Sequence, residues 1–266
     1  MPGKIHVGIG GWTYEPWRGT FYPPGLAQTR ELEFAANAVT AIEINGTYYR
    51  SQSPATFEKW AKAAPPGFVF TAKASRFCTN RKNLAEAGES IGRFVGQGLT
   101  QLGDKLGPIL WQLMPTKRFD SDEIRAFLAL LPAKQDGIPL RHAIEPRHES
   151  FRDPAFIALT REAGAAIVFA DSPTHPTIAD CTADFVYARL QDAREDEPTG
   201  YSADALDRWA DVARAWAKGE QPASLPYVTP APAPTKSRNA YIFMINGAKV
   251  RAPAAAQALI ARLGEP

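Results

Sequence analysis

Eight short apolar runs punctuate the chain: IHVGIGG (5–11), TAIEI (40–44), FVFTAK (68–73), PILWQL (108–113), LRHAIE (140–145), AAIVFA (165–170), DFVYARL (184–190) and YIFMIN (241–246). Most are continuous rather than alternating. Strands buried on both faces look like this, as in a parallel sheet flanked by helices. Between the runs lie segments with helix punctuation. Residues 29–38 open on Thr29 as a cap, and residues 53–64 on Ser53 with Pro54 in the first turn. A long, glycine-bearing segment covers 81–103. Residues 121–131 begin with Ser121 and two acids, and 153–164 run from an Asp153 cap to a Gly164 stop. Residues 203–219 and 252–264 repeat the pattern. Strand-helix alternation of this kind predicts an α/β protein, a single (β/α)8 TIM-type barrel over residues 1–266. Irregularity is expected around strands 6–8. Residues 171–183 are too short and too rich in Pro and Thr for a good helix, and residues 221–236 read as a loop. A doubly wound sheet is the alternative, but GIGGW lacks the spacing and helix start of a dinucleotide fingerprint.

Composition narrows the class. With 266 residues, 45% hydrophobic and 22% charged, the chain can bury a sizeable core. The net charge of +2 demands neither nucleic acid nor an anionic membrane, yet permits a local basic pocket. Cys78 and Cys181 have no CxxC spacing and read as reduced, buried thiols. No run approaches the ~18 apolar residues of a membrane span and nothing before Lys4 resembles a signal peptide, so a cytoplasmic location is expected. Oligomeric state is not legible.

In such a barrel the chemistry sits where strands end. The polar groups there are Trp12 and Tyr14 after strand 1, Glu43, Asn45 and Tyr48 at strand 2, and Lys73 at strand 3. Gln112 ends strand 4, Glu145, Arg147 and His148 follow strand 5, Asp171 strand 6, Arg189 strand 7 and Asn246 strand 8. Charges at the ends of apolar strands need partners. Glu43 and Glu145 are candidate general bases and His148 a proton donor, with the other residues holding an anionic substrate. Each has a plain structural alternative: an ion-pair network, a loop histidine, a turn at Asp171 or at Asn246, and loop packing for Trp12, Tyr14 and Trp17. The four histidines lack zinc spacing, so no metal ligand set is assigned. A Mg²⁺ or Mn²⁺ site from Glu43, Glu145 and Asp171 stays open as a minor alternative.

GIGGWTYEPWRGTFYP (8–23), AIEINGTYYR (41–50), GFVFTAK (67–73), LGDKLGPILWQLMP (102–115), IEPRHESF (144–151) and FVYARL (185–190) together resemble the successive motifs of the YecE-like family, domain of unknown function 72. The resemblance spans about residues 5–260 and implies a TIM-type barrel, without implying an established reaction. It marks Trp12, Tyr14, Trp17, Glu43, Asn45, Thr47, Tyr48, Lys73, Gln112, Glu145, Arg147, His148 and Arg189 as shared polar positions. The chain departs from the family pattern twice. Gln191 and Asp192 stand where a His-Gly pair is usual, and Met244, Ile245 and Asn246 where a Phe-Asn-Asn motif is usual. Some relatives resemble barrel endonucleases acting on DNA phosphates, but the metal-binding histidines of such enzymes are not evident here.

Three functions follow. The first is an enzyme acting on a phosphorylated or carboxylated substrate by acid/base chemistry, a hydrolase, lyase or isomerase. Its partner is a small anion held by Lys73, Arg147 and Arg189, with the last helix behind Pro253 offering free N–H groups. The second is a nucleic-acid-binding protein that stacks bases on its aromatic residues. The third is a non-catalytic ligand-binding scaffold, motivated by the altered ends of strands 7 and 8.

Overall fold

All eight apolar runs form strands of one closed barrel. The structure is a computed structural model that describes residues 1–230, 236–245 and 247–264. The barrel strands are β1 Ile5–Gly10, β2 Ala41–Ile44, β3 Val69–Lys73, β4 Leu106–Gln112, β5 His142–Glu145, β6 Ala166–Asp171, β7 Phe185–Leu190 and β8 Asn239–Met244. They follow one another in chain order, all parallel, and β8 closes the ring by pairing with β1. A two-residue antiparallel hairpin, Lys134–Gln135 with Ile138–Pro139, lies outside the ring.

Successive strand side chains point to opposite faces of a sheet. In this barrel one set fills the interior and the other meets the helices. Ala41, Val69, Leu110, Ala143, Val168, Tyr187 and Phe243 form the interior cluster. Ile42, Phe70, Trp111, Ile144, Phe169, Ala188 and Ile242 belong to the larger core shared with helix residues such as Phe57, Phe127 and Trp216. Burial on both faces explains why the runs look continuous in sequence.

The helices are α1 Glu31–Ala38, α2 Gly46–Tyr49, α3 Pro54–Ala63, α4 Arg76–Thr79, α5 Gly88–Val95, α6 Ser121–Ala129, α7 Pro154–Glu162, α8 Ala203–Lys218 and α9 Ala252–Leu263. Ser53 and Asp153 cap their helices as expected. Thr29 does not. It sits in a 3-10 turn, Gln28–Arg30, ahead of α1. Asp120 rather than Ser121 caps α6, accepting from the Asp122 and Glu123 amides. The long helix expected over 81–103 is broken: α5 spans only 88–95, and Gly98 and Gly103 take positive φ of 112° and 59° in a following 3-10 stretch. Glycine alone adopts such angles without strain. No helix forms between β6 and β7, which is the expected irregularity. Among the described residues no helix is long and apolar enough to cross a membrane, and Cys78 and Cys181 are buried free thiols.

Barrel closure constrains β1 sterically. Gly8 pairs with Ala41, and a Cβ at Gly8 would lie 1.9 Å from the Ala41 carbonyl oxygen. Neither backbone can yield without opening the ring. Gly8→Ala is expected to lower stability by about 3 kcal/mol, the upper end of overpacking costs. Gly92→Ala, in exposed α5 with nothing within 4 Å of the new methyl, is expected to raise it by about 0.5–1 kcal/mol. Urea unfolding midpoints of the two variants check the contrast.

Candidate active site

Five polar side chains share the inward face at the C-terminal ends of the strands: Glu43 on β2, Lys73 on β3, Gln112 on β4, Glu145 on β5 and Arg189 on β7. Each sits two residues beyond an apolar, hydroxyl or aromatic interior side chain in its strand. Glu43 and Glu145 are wholly inaccessible and Arg189 is 2% exposed. Arg189 lies between the two carboxylates. Its Nε and Nη2 donate to Glu43 Oε2 and Oε1, each at 3.1 Å, and its Nη1 donates to Glu145 Oε1 at 2.9 Å and Oε2 at 2.8 Å. Tyr187, one turn of the pleat below, donates its hydroxyl to Glu43 Oε2 at 2.8 Å and lies 2.9 Å from the Thr71 hydroxyl. Pro146 confines Glu145 to an extended backbone, so the chain leaves the strand at once. Arg147 then folds back, and its Nε and Nη2 donate to Glu145 Oε1 at 3.1 and 3.0 Å.

The electrostatics follow from this geometry. Burial raises the Glu145 pKa, but Arg189, Arg147 and Lys73 outweigh it and hold the carboxyl below its ordinary range. Burial disfavours the Arg189 charge, and Glu145 and Glu43 reverse that and strengthen it. Burial and the Glu43 charge push the Tyr187 phenol well above its usual range. Lys73 goes the other way. Burial and then Arg189 lower its pKa to about 8, against partial support from Glu43 and Glu145.

Above the cluster opens a pocket of about 400 Å³, lined by Asn45, Tyr48, Lys73, Gln112, Arg147 and Arg189 among others. The Lys73 ammonium lies 4.4 Å from the centre of the Tyr48 ring. The Thr47 hydroxyl fixes that approach by bonding the Ile44 and Lys73 carbonyls at 3.1 and 2.7 Å, and Asn80 donates to the Tyr48 hydroxyl at 3.0 Å. Asn45 Nδ2 donates to the Glu43 carbonyl at 3.4 Å. Gln112 Oε1 is buried with no hydrogen-bond partner among the described residues.

Of the residues expected at the site from sequence, Glu43, Asn45, Tyr48, Lys73, Gln112, Glu145, Arg147 and Arg189 come together. Others do not. His148 caps the 3-10 turn Glu149–Phe151: its Nδ1 accepts from the Ser150 amide at 3.1 Å and meets the Ser150 hydroxyl at 2.9 Å, and the side chain does not line the pocket. Asp171 shares strand parity with the outward Ile167 and Phe169, and its carboxyl, raised by burial and by Asp192, faces the helix layer near Arg208. A metal site from Glu43, Glu145 and Asp171 therefore does not form. Arg189 occupies the two inner carboxylates and the third points away. Among the described residues, no three His, Cys, Asp or Glu side chains are placed to hold a metal ion. Trp12 packs edge-on against Trp60 and Tyr14 packs against Trp17, and neither lines the pocket, whereas the fully buried Trp17 contributes to its wall. Asn246 lies outside the described residues.

Sequence reasoning missed Lys249. Trp17 Nε1 donates to its carbonyl at 3.0 Å, and its ammonium sits 4.4 Å from the centre of the Tyr14 ring, on the pocket wall. The aromatic motif after β1 thus positions a cation after β8. The signal lay in the segment before Pro253, already marked as an anion site. His175, in the β6–β7 loop, was missed as well. It lies within electrostatic reach of Arg147, Glu145 and Arg189.

A closed eight-stranded parallel barrel carrying a buried charge cluster under a pocket at its C-terminal face defines a TIM-barrel protein. The chain belongs to the DUF72 family, described as a protein of unknown function, whose model matches residues 6–266. A DUF72 family protein from Thermotoga maritima is similar in structure, with 21% identity, a TM-score of 0.70 and 96% of each chain covered. One from Enterococcus faecalis has 17% identity and a TM-score of 0.68, with 97% of each chain covered. A protein named SacUVDE shares the fold at 9% identity and a TM-score of 0.51 over 97% of each chain. Among curated proteins no match was found.

Arg189 is the residue whose removal the cluster tolerates least. Breaking a buried ion pair by deleting one partner costs about 3–5 kcal/mol, and Arg189→Met is expected to lose at least that much at pH 7. Glu145 is held low in the folded state, so the stability it contributes is complete above the ordinary carboxylate range. That contribution disappears as pH falls through its depressed pKa. In the variant Glu145 loses its main partner, and its protonated form gains ground. The stability gap to wild type should therefore narrow between pH 7 and pH 4.5 in urea titrations. A gap independent of pH would show that Glu145 does not depend on Arg189.

Proposed function

We propose that the pocket binds a small phosphorylated or carboxylated substrate and that the protein is an enzyme acting on it. The carrying observation is the charge balance. Glu43 and Glu145 are committed to Arg189 and Arg147, while Lys73 and Lys249 line the same pocket and form no ion pair among the described residues. An anion would relieve both. Ala252, the first residue of α9, also lines the pocket, but it offers no free N–H there, because its amide donates to the Lys249 carbonyl and Pro253 has none.

This reading changes the roles assigned from sequence. Glu43 and Glu145 hold Arg189 and shape the pocket floor, because both are sealed from the pocket and Glu145 resists protonation. Lys73, with its pKa near 8, replaces them as the group able to exchange a proton at working pH. A small ligand fits better than nucleic acid. Of the rings expected to stack bases, Trp17 is buried and Trp12 and Tyr14 are half-buried in packing against other rings, leaving Tyr48 and the exposed Tyr49 at the mouth.

Thermal-shift titration with inorganic phosphate is the direct test. Phosphate is expected to raise the melting temperature of the wild type. Lys249→Met keeps the aliphatic stem over Tyr14, and Arg147→Ala leaves Glu145 bound to Arg189. Each is expected to weaken phosphate by about tenfold, the loss of one charge-assisted contact. Equal stabilisation of all three proteins would contradict the reading. Salt-sensitive binding of a single-stranded oligonucleotide, unaffected by either substitution, would favour a nucleic-acid surface elsewhere.

A further inference from the structure

We propose that Lys73 is a covalent nucleophile and that the pocket's substrate is a small aldehyde or ketone carrying a carboxylate or phosphate, held as a Schiff base on the Lys73 Nζ. The inference rests on the anion-binding reading and narrows it to one chemical class.

Four features of the site converge on this. Lys73 ends β3 with inward parity, so its amine enters the pocket from a rigid strand rather than from a loop. Its ammonium rests on the Tyr48 ring at 4.4 Å, and that ring is held in turn by Asn80. The neighbouring carboxylates, which would otherwise lock the amine as a salt bridge, are engaged by Arg189 and Arg147. Finally, Gln112 lines the same wall, and its Oε1 has no hydrogen-bond partner among the described residues. A buried polar atom of this kind calls for an explanation, and a ligand group at the pocket wall is one.

The chemistry follows in order. The substrate's anionic group lies against Arg147 and Lys249. Its carbonyl carbon then faces Lys73. The neutral amine's lone pair attacks that carbon, and the carbonyl π electrons move onto oxygen, giving a carbinolamine. Gln112, on the adjoining strand β4, supplies a neutral hydrogen-bonding group to the same pocket wall. Counted from the ammonium, two of its three protons leave with the carbonyl oxygen as water and one stays on the iminium nitrogen. The step is therefore balanced without any oxidant, reductant or further reactant. The iminium keeps the positive charge that the ammonium had, so the pocket's balance with an anionic substrate is unchanged. A pKa of about 8 leaves about a tenth of the amines neutral at pH 7, enough to attack. Buried lysines with lowered pKa are suited to this role, whereas arginine is not.

Reductive trapping tests the proposal on the full chain. Glyoxylate, an aldehyde next to a carboxylate, is supplied with sodium cyanoborohydride, and the modified lysines are mapped by peptide mass spectrometry. Lys73 is expected to be labelled at least tenfold faster than the exposed Lys62, with labelling slowed by inorganic phosphate and rising with pH up to about 8. Lys73→Arg should lose the fast site and still be stabilised by phosphate. If phosphate stabilises the wild type but Lys73 is labelled no faster than Lys62, the nucleophile proposal is overturned while the anion pocket stands. If Lys73 is labelled fast and phosphate neither binds nor protects, the amine is reactive and the anionic substrate class is wrong. Failure of both phosphate binding and fast labelling removes both.

Discussion

The structure turns on one guanidinium held between two carboxylates inside a barrel. Arg189 reaches across the interior from β7 to meet Glu43 on β2 and Glu145 on β5, joining three strands that are not neighbours in the ring. Three charges without water are tolerable only because each is answered at hydrogen-bond distance, with Tyr187 and Arg147 taking up remaining lone pairs. That constraint sets what lies above it. With both carboxylates engaged by arginine, Lys73 and Lys249 form no ion pair among the described residues, and the proposal of an anion pocket rests on that.

The surrounding elements act as supports for that arrangement. The aromatic turn after β1 looks like a binding platform in sequence, yet it is packed shut, and its service is to seat Lys249. The short helix α2 does the same for Tyr48 through the Thr47 hydroxyl, which ties the ends of β2 and β3 together. His148 turns out to stabilise the exit of β5 as a cap. The polar residues of a conspicuous motif therefore divide into those that touch the pocket and those that hold its walls, and only the three-dimensional arrangement separates them.

Most of the fold was legible because burial on both faces leaves a strong mark: continuous apolar runs at barrel spacing, with helix caps between several of them. The details that failed depend on competition between local signals. Thr29 lost to a 3-10 turn, Ser121 to the preceding Asp120, and the long helix at 81–103 to glycines at positive φ. The site was legible to the level of strand ends, and the reading recovered Glu43, Lys73, Gln112, Glu145 and Arg189. It failed at Asp171 for one reason. When both faces of a strand are buried, hydrophobicity does not alternate, and parity cannot be read from the run itself. Ala170, not Asp171, has the inward parity of β6. Lys249 was missed because it lies beyond the strand end, reached through a contact 232 residues apart in sequence.

The central claim is that Lys73 stands in a cationic pocket, undercharged and awaiting an anion. It is tested most directly by NMR titration of the lysine ε-carbons in wild type and in Lys73→Met, which identifies the Lys73 resonance by its loss. The account predicts a midpoint near pH 8 that moves upward when phosphate is added. A midpoint in the ordinary lysine range, indifferent to phosphate, would contradict it.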